Sequence, residues 1–374
     1  MSRTSRRRST ARTSIARTAA LILALAAWPA VTAPPAAAGV TFSAHPVATG
    51  LNEPVAFTFA PGGRIFYVEK STGEIRIYNP VTDHDGLFYD MPGVNADGER
   101  GMLGIALNPS YPAKPFVYVY ATRTSGGVLK NQILRLTNVN GSGRHRGEIF
   151  GTAASSTPYH NGGRIEFGPD GELYAIVGEG HTASNSQHLS NPRGKILRMT
   201  PRGDRPADNP IAHSKIFAFG IRNSFGFDFD PATGDLWETE NGPECNDEVN
   251  YIPNGGKNYG WGPRESCGSL AAPRDTNNSG PRPRVMPELW FTSTVGITGM
   301  TFCDGCGLTG SEGDLFFGDV NNGQIRRVPL SAGRDTVAGT GSVVFDTGNV
   351  LSVETGPGGS IYFSDFSGIY RLAN

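Results

Sequence analysis

The chain has 374 residues, 33 basic and 34 acidic side chains, and a formal net charge of −1. Six of the basic residues lie among the first 38, so the remainder carries a clear acidic excess. That excess argues against a polyanionic partner, and we expect binding neither to nucleic acid nor to an anionic membrane surface.

The first 38 residues have the three parts of a secretory signal peptide in order. Arginines precede an apolar run from Ala19 to Trp28, and small residues at positions 36–38 follow as a cleavage site. The run is shorter than the roughly 20 apolar residues that span a bilayer. We therefore predict a signal peptide over 1–38, which is removed, and a secreted or periplasmic domain over 39–374 without membrane insertion.

One phrase recurs along the rest of the chain: an apolar strand, a turn rich in Pro, Gly and Asp, and a second strand with aromatic residues. A third strand often follows, and helical periodicity is almost absent. The copies begin at Val55, Gly104, Arg164, Phe225, Gly299 and Ser352. Small antiparallel sheets that recur in this way predict an all-β, six-bladed β-propeller.

The two ends of the chain indicate how such a ring closes. The last unit ends at Asn374, so a strand that begins near Val40 would complete its sheet. A β-sandwich or two stacked barrels is the alternative, and the even recurrence of three-strand units favours the propeller.

Four cysteines lie in the second half of the chain. In an oxidising compartment an even number predicts disulfides, and we pair Cys245 with Cys267 and Cys303 with Cys306. A zinc site made of four cysteines is the alternative, although the chain has a single CxxC sequence.

Polar groups stand at the entry to the innermost strands of two successive units. His160 precedes the third unit, and Arg222 and Asn223 hold the same place before the fourth. An acidic, glycine-rich stretch over 238–262 follows the fourth unit's second strand, and its Trp261 fits either a buried tryptophan or a ring that stacks on a sugar. Equivalent points on a ring face its centre, so these groups are predicted to converge on one pocket. Taken alone, His160 also fits a histidine bonded to a loop carbonyl.

The motifs of this chain, in the order in which they occur, resemble those of the soluble quinoprotein aldose dehydrogenases, the glucose/sorbosone dehydrogenase family. The likeness runs from GERGMLGIALNPSYP through HNGGRIEFGPDGELY and ENGPECNDEVNYIPNGGKNYGW to TGPGGSIYFSD. It implies an exported six-bladed propeller that uses calcium and pyrroloquinoline quinone (PQQ). We accordingly expect an enzyme, monomeric or homodimeric, whose small-molecule substrate is a sugar.

The resemblance also implies roles for single residues. His160 matches the base that takes the proton of the sugar's anomeric hydroxyl. Arg222 matches the cation beside the quinone oxygen, and Asn223 its hydrogen-bonding neighbour.

A calcium site is implied in the same way. Gly242 and Pro243 match the pair whose backbone carbonyls hold the ion, and Glu248 and Tyr259 match further ligands. Oxygen donors from an acidic loop are the ligands that calcium prefers.

Some positions depart from the family's pattern at the expected cofactor site. Glu99 replaces a glutamine, Asn321 replaces a lysine, and Asn349 and Leu351 replace the two arginines of an Arg-x-Arg sequence. PQQ carries three carboxylates, and each lost charge-assisted contact costs roughly 1.5 to 3 kcal/mol.

Three other cations, Arg326, Arg327 and Lys257, are candidates to compensate, although strand alternation lets at most one of Arg326 and Arg327 face inward.

Three hypotheses therefore remain. The first is a dehydrogenase that uses calcium and PQQ. The second is a relative without the quinone, whose pocket performs hydrolysis, proton abstraction or cyclisation. The third is a propeller that binds a sugar or a protein without catalysis.

Overall fold

The computed structural model describes residues 41–262, 267 and 276–374, so the predicted signal peptide lies outside the described residues. Six four-stranded antiparallel sheets form this part of the chain, as the sequence predicts for a β-propeller. We number the sheets as blades 1 to 6 in chain order.

The chain begins with β1 (Ser43–Thr49), and the strands of the first three blades follow: β2 (Pro54–Phe59), β3 (Ile65–Glu69), β4 (Glu74–Asn79), β5 (His84–Asp90); β6 (Met102–Leu107), β7 (Phe116–Ser125), β8 (Val128–Val139), β9 (Ser142–Ala153); β10 (Ile165–Phe167), β11 (Leu173–Val177), β12 (Lys195–Met199) and β13 (Ile216–Phe219). The strands of blades 4 to 6 are β14 (Ser224–Phe229), β15 (Leu236–Glu240), β16 (Asp247–Ile252), β17 (Leu289–Phe291); β18 (Ile297–Phe302), β19 (Leu315–Asp319), β20 (Gln324–Val328), β21 (Ser342–Asp346); β22 (Ser352–Thr355), β23 (Ile361–Ser364) and β24 (Gly368–Ala373). Short 3₁₀ turns cover Ala183–Gln187 and Pro357–Gly359.

Strand β1 closes the ring. It pairs antiparallel with β24, from Ser43 opposite Ala373 to Thr49 opposite Gly368, and completes blade 6 in the order β1-β24-β23-β22. The predicted closure by a strand from the start of the domain is confirmed.

The hydrophobic core lies between blades rather than within them. Each of six buried clusters draws its residues from two neighbouring blades, and together they join every blade to the next around the ring. Between blades 1 and 2, for example, the ring of Phe66 meets that of Tyr111 edge to face. The first strand of each sheet (β2, β6, β10, β14, β18 or β22) therefore lies at the centre of the ring.

Both predicted disulfides form, Cys245 with Cys267 and Cys303 with Cys306. The four-cysteine zinc alternative is thereby wrong, because every sulfur is bonded to another. In the described part of the chain, no helix has the length and apolar character to cross a membrane.

Candidate functional site

A pocket of about 370 Å³ opens where the six blades meet. Every blade contributes to its wall, in order through Val55, Leu103, Gly162, Phe225, Thr298 and Leu351. Residues at the entry to each innermost strand thus share one cavity, as the repeat predicts. We call it the channel-mouth pocket.

Glu99 joins this pocket to two of the predicted site residues. Its side chain lines the pocket, and its Oε2 accepts hydrogen bonds from the backbone N–H of His160 at 2.7 Å and from Nδ2 of Asn223 at 3.0 Å. Glu99 places a negative charge at the pocket wall where the family has a neutral glutamine. In the structure that charge positions two neighbouring groups.

His160 is 6% exposed, and its ring is held by a second carboxylate. Nδ1 of His160 forms a short hydrogen bond with Oε1 of Glu179, a side chain that is itself 2% exposed. A carboxylate only accepts, so Nδ1 carries the hydrogen, and the neutral ring keeps its lone pair on Nε2. The described residues offer Nε2 no hydrogen-bond partner. The alternative of a ring bonded to a loop carbonyl is therefore wrong.

Local backbone geometry brings His160 and Glu179 together. His160 has φ of 58°, in the left-handed region that few non-glycine residues adopt. Gly178 passes so close that a Cβ there would lie 2.4 Å from the carbonyl oxygen of His160. The same oxygen accepts the N–H of Gly180 at 3.0 Å. Because β10 and β11 form a hairpin, the residues after β11 return beside those before β10.

The glycines after His160 serve packing within the protein. A Cβ on Gly162 would lie 2.6 Å from the carbonyl oxygen of Ile176, and one on Gly163 would lie 2.3 Å from Cβ of Leu103. The groups that approach these glycines closely are thus neighbouring strands.

Arg222 lies between His160 and the acidic loop. Nη1 donates to the carbonyl oxygen of Asn241 at 2.8 Å, and the guanidinium lies 5.3 Å from the ring centre of Trp261. Burial lowers the pKa of Arg222, while the negative charges of Glu179 and Glu240 oppose that effect. Trp261 is 7% exposed, so it is a buried tryptophan that faces a cation.

The acidic loop encloses a small cavity of about 10 Å³, close to the least space that holds one water molecule or ion. Gly242 and Pro243 line it together with the carboxylates of Glu240 and Glu248. Tyr259 is not among the lining residues, and its hydroxyl donates to the carbonyl oxygen of Tyr251 at 2.9 Å.

The two carboxylates in this cavity fit a cation. Burial raises the pKa of Glu248 to about 8 and that of Glu240 well above its usual value. Repulsion from Glu238 adds to both effects, and repulsion from Glu248 raises the pKa of Glu240 further. Oδ1 of Asn246 is buried and has no hydrogen-bond partner among the described residues. Over those residues no three Asp, Glu, His or Cys side chains are arranged to hold a metal, so an ion would also need backbone carbonyls. Oxygen donors of this kind suit calcium.

The positions where the family has cations do not supply any here. Leu351 lines the channel-mouth pocket, and so does Val320 in place of its neighbour Asn321. The backbone N–H of Asn321 donates to the carbonyl oxygen of Val295 at 3.1 Å, which turns this residue toward the preceding loop. Oδ1 of Asn349 accepts the N–H of Phe366 at 3.2 Å.

None of the proposed substitutes lines the pocket either. Arg326 lies 3.5 Å from Asp319, and Arg327 pairs with Asp314. Lys257 is exposed and outside the pocket wall. A different lysine, Lys70, does line the pocket, with Nζ 3.4 Å from the carbonyl oxygen of Ala96.

Arg164 lines both the channel-mouth pocket and a second cavity of about 290 Å³. Its Nη1 donates to Glu354 at 2.7 Å. Near that ion pair, Oδ2 of Asp228 accepts the hydroxyl of Thr301 at 2.8 Å, and burial raises the pKa of Asp228 to about 7. The interior of the channel therefore contains more acid than base.

Known proteins resemble this chain over most of its length. The model of the Glucose / Sorbosone dehydrogenase family matches residues 51–368. The chain is 26% identical over 347 residues to the aldose sugar dehydrogenase YliI of Escherichia coli strain K12, covering 87% of this chain and 90% of that protein. Identity to quinoprotein glucose dehydrogenase B of Acinetobacter calcoaceticus is 31% over 251 residues, which cover 59% of this chain and 52% of that protein. The PQQ-bound form of aldose sugar dehydrogenase from Streptomyces coelicolor superposes with a TM-score of 0.76 at 27% identity, over 90% of this chain and 99% of that one.

Proposed function

The chain belongs to the Glucose / Sorbosone dehydrogenase family, and we propose that it oxidises an aldose-type sugar at its anomeric hydroxyl. The hydrogen bond between His160 and Glu179 carries the proposal, because it orients a base with a free lone pair. The sugar dehydrogenases among its relatives support this reaction class.

In the proposed reaction, Nε2 of His160 takes the proton of the anomeric hydroxyl as the carbonyl of a lactone forms. Glu179 stabilises the imidazolium that results and keeps the ring in one tautomer. A quinone-type acceptor, when bound, supplies the two-electron sink for the hydride that leaves the same carbon. One proton and one hydride then account for the two hydrogens removed.

Arg222 and Asn223 would serve the acceptor side of the site. The guanidinium of Arg222 has a buried Nε without a hydrogen-bond partner among the described residues, so it retains a donor for an oxygen that gains negative charge. Asn223 fixes Glu99 at the pocket wall.

Calcium is proposed for the cavity of the acidic loop. The carbonyls of Gly242 and Pro243 and the carboxylates of Glu240 and Glu248 would hold it, with their mutual repulsion relieved by its charge. Tyr259 is left out of this ligand set, because it does not line the cavity and its hydroxyl is already bonded to Tyr251.

PQQ itself does not fit the charges of this pocket. Among the described residues that line it, Lys70 is the one cation without a carboxylate partner, against the three carboxylates of that cofactor. We therefore derive no step through PQQ. The mismatch favours a second candidate, in which His160 abstracts a proton beside calcium in a reaction without electron transfer.

We also propose that residues 1–38 direct export and that 39–374 form the mature domain, in a secreted or periplasmic location. Two formed disulfides support an oxidising compartment.

The test is sugar-dependent dye reduction by the purified protein with calcium and a quinone acceptor. We expect turnover that His160→Ala abolishes, whereas His145→Ala, a change at an exposed position of β9, leaves it intact. No dye reduction with any aldose, despite acceptor binding, would refute the proposed dehydrogenase and favour the second candidate.

A further inference from the structure

The channel-mouth pocket has a largely apolar wall. Val55, Leu103, Val320, Leu351 and Phe366 all contribute to it, and the ring of Phe366 is 47% exposed. An apolar ring that is buried against these side chains, in a cavity of about 370 Å³, is stabilised by the hydrophobic effect. A carboxylate placed against the same wall would lose its hydration without a compensating hydrogen bond.

The charged groups of the wall nearly cancel before any ligand binds. Glu53 and Glu99 are the acids, and Lys70 and Arg164 are the bases. Arg164 is already engaged, with Nη1 on Glu354 at 2.7 Å and its other nitrogens on uncharged oxygens. Lys70 alone remains for an anionic group, and it can balance a single charge.

Charges outside the wall do not change this balance. Arg326 and Arg327 pair with acids away from the pocket. Arg222 lines the separate cavity of the acidic loop, and its Nε, unpaired among the described residues, is proposed to serve the reacting oxygen of the acceptor, so it is not left for a carboxylate. Calcium in that cavity would face Glu240 and Glu248, whose two negative charges would offset its own.

We propose that the channel-mouth pocket selects a planar ring ligand with at most one negative charge, and rejects polyanionic ones. As the acceptor of the dehydrogenase reaction on which this inference rests, such a ligand is an ortho-quinone without multiple carboxylates. The apolar wall packs against the ring of the ligand, and Lys70 forms an ion pair with the anionic substituent of a ligand that carries one.

Two probes that share one ring system test the proposal: PQQ, which carries three carboxylates, and its uncharged trimethyl ester. Binding of each to the full-length protein is measured by quenching of tryptophan fluorescence, with calcium in excess. We expect the ester to bind at least tenfold more tightly than the tricarboxylate. Tighter binding of PQQ would overturn this inference and leave the proposed dehydrogenase standing. Failure of both probes to bind would overturn the inference and the quinone-dependent function together.

A charge added to the wall sharpens the test. Leu351→Arg is expected to tighten PQQ binding at least tenfold, to change ester binding less than threefold, and to lose its gain at high salt. Leu351→Gln is the control, because it adds polarity of similar length without charge. Should Leu351→Arg unfold, Val320→Lys with Val320→Gln makes the same comparison. Unchanged PQQ affinity in a folded, charged variant would overturn the proposal.

Discussion

The change Glu179→Gln tests whether a carboxylate sets the tautomer of His160. The carboxylate accepts two hydrogen bonds, from Nδ1 of His160 and from the backbone N–H of Thr182. A glutamine of the same shape has one acceptor oxygen. If that oxygen meets Thr182, the amide NH₂ faces Nδ1 and moves the ring hydrogen to Nε2, where the sugar hydroxyl needs a lone pair.

The opposite orientation is also unfavourable. With the amide oxygen on Nδ1, the NH₂ group meets the N–H of Thr182, and a buried donor is left unpaired at a cost of about 1 to 3 kcal/mol. In both orientations of the amide, the negative charge that stabilises the imidazolium is lost. A hydrogen bond to a charged group contributes about 1.5 to 3 kcal/mol. Since about 1.4 kcal/mol is a factor of ten in rate, kcat should fall about 10- to 150-fold.

The assay is dye reduction with saturating sugar, together with ¹⁵N spectra of the histidine ring. We expect KM to change less than twofold, because Glu179 orients the base without touching the sugar, and the ring hydrogen to move to Nε2 in a part of the molecules. Glu148→Gln on β9 is the matched control. A Glu179→Gln protein with kcat within twofold of the parent, while His160→Ala is inactive, would refute the reasoning.

Three further predictions concern calcium, pH and the loop behind the base. Removal of calcium by a chelator should lower Tm by about 5 °C or more, and added calcium should restore it. The Glu248→Gln variant should show a smaller shift in Tm. Equal shifts in the parent and the variant would contradict the assigned site. Because the pKa of Asp228 rises from 3.8 to about 7 on folding, its ionisation disfavours the folded state, so stability should fall as pH rises from about 4 to 7. Urea unfolding at pH 5 and pH 8 should show that Asp228→Asn removes about 1 to 2 kcal/mol of that dependence. This is less than the full shift because Asp228 is half-buried, so solvent screens its charge, and because pH 5 to 8 covers only part of the range. Lys195 is fully buried, and its Nζ donates to the carbonyl oxygens of Asn185 and Arg193 at 2.8 and 2.7 Å. Lys195→Met should therefore lower the free energy of unfolding by about 2 to 4 kcal/mol and expose the 181–193 loop to proteases, whereas exposed Lys114→Met should do neither.

Strand periodicity and turn spacing were sufficient to predict the ring and its closure by β1, and an even number of cysteines in a chain with a predicted signal peptide led to both disulfides. The predicted convergence on one pocket is not seen for Arg222, which lines the separate cavity of the acidic loop, whereas His160 and Asn223 both donate to Glu99 at the wall of the channel-mouth pocket. Glu179 was missed, although a signal was present: it follows β11, and a hairpin returns that point to the start of β10. Lys70 was missed in the same way, although it holds the equivalent place directly after β3, the second strand of blade 1.

Side-chain direction beyond the strand ends could not be predicted. Val320 faces the pocket and Asn321 turns away, because a backbone hydrogen bond to Val295 sets the turn after β19. Tyr259 was assigned to the calcium site by position, yet its ring packs among buried apolar residues and its hydroxyl bonds to Tyr251. Alternation along a strand carries no information about such turns.

The pairing of β1 with β24 has a consequence for how the molecule is made. The first strand has no partner until the last one has been synthesised, so neither the opening segment nor blade 6 can acquire its final neighbours early. Folding must therefore be completed after the whole polypeptide is available. The start of β1 and the end of β24 also lie side by side, at the same end of one sheet.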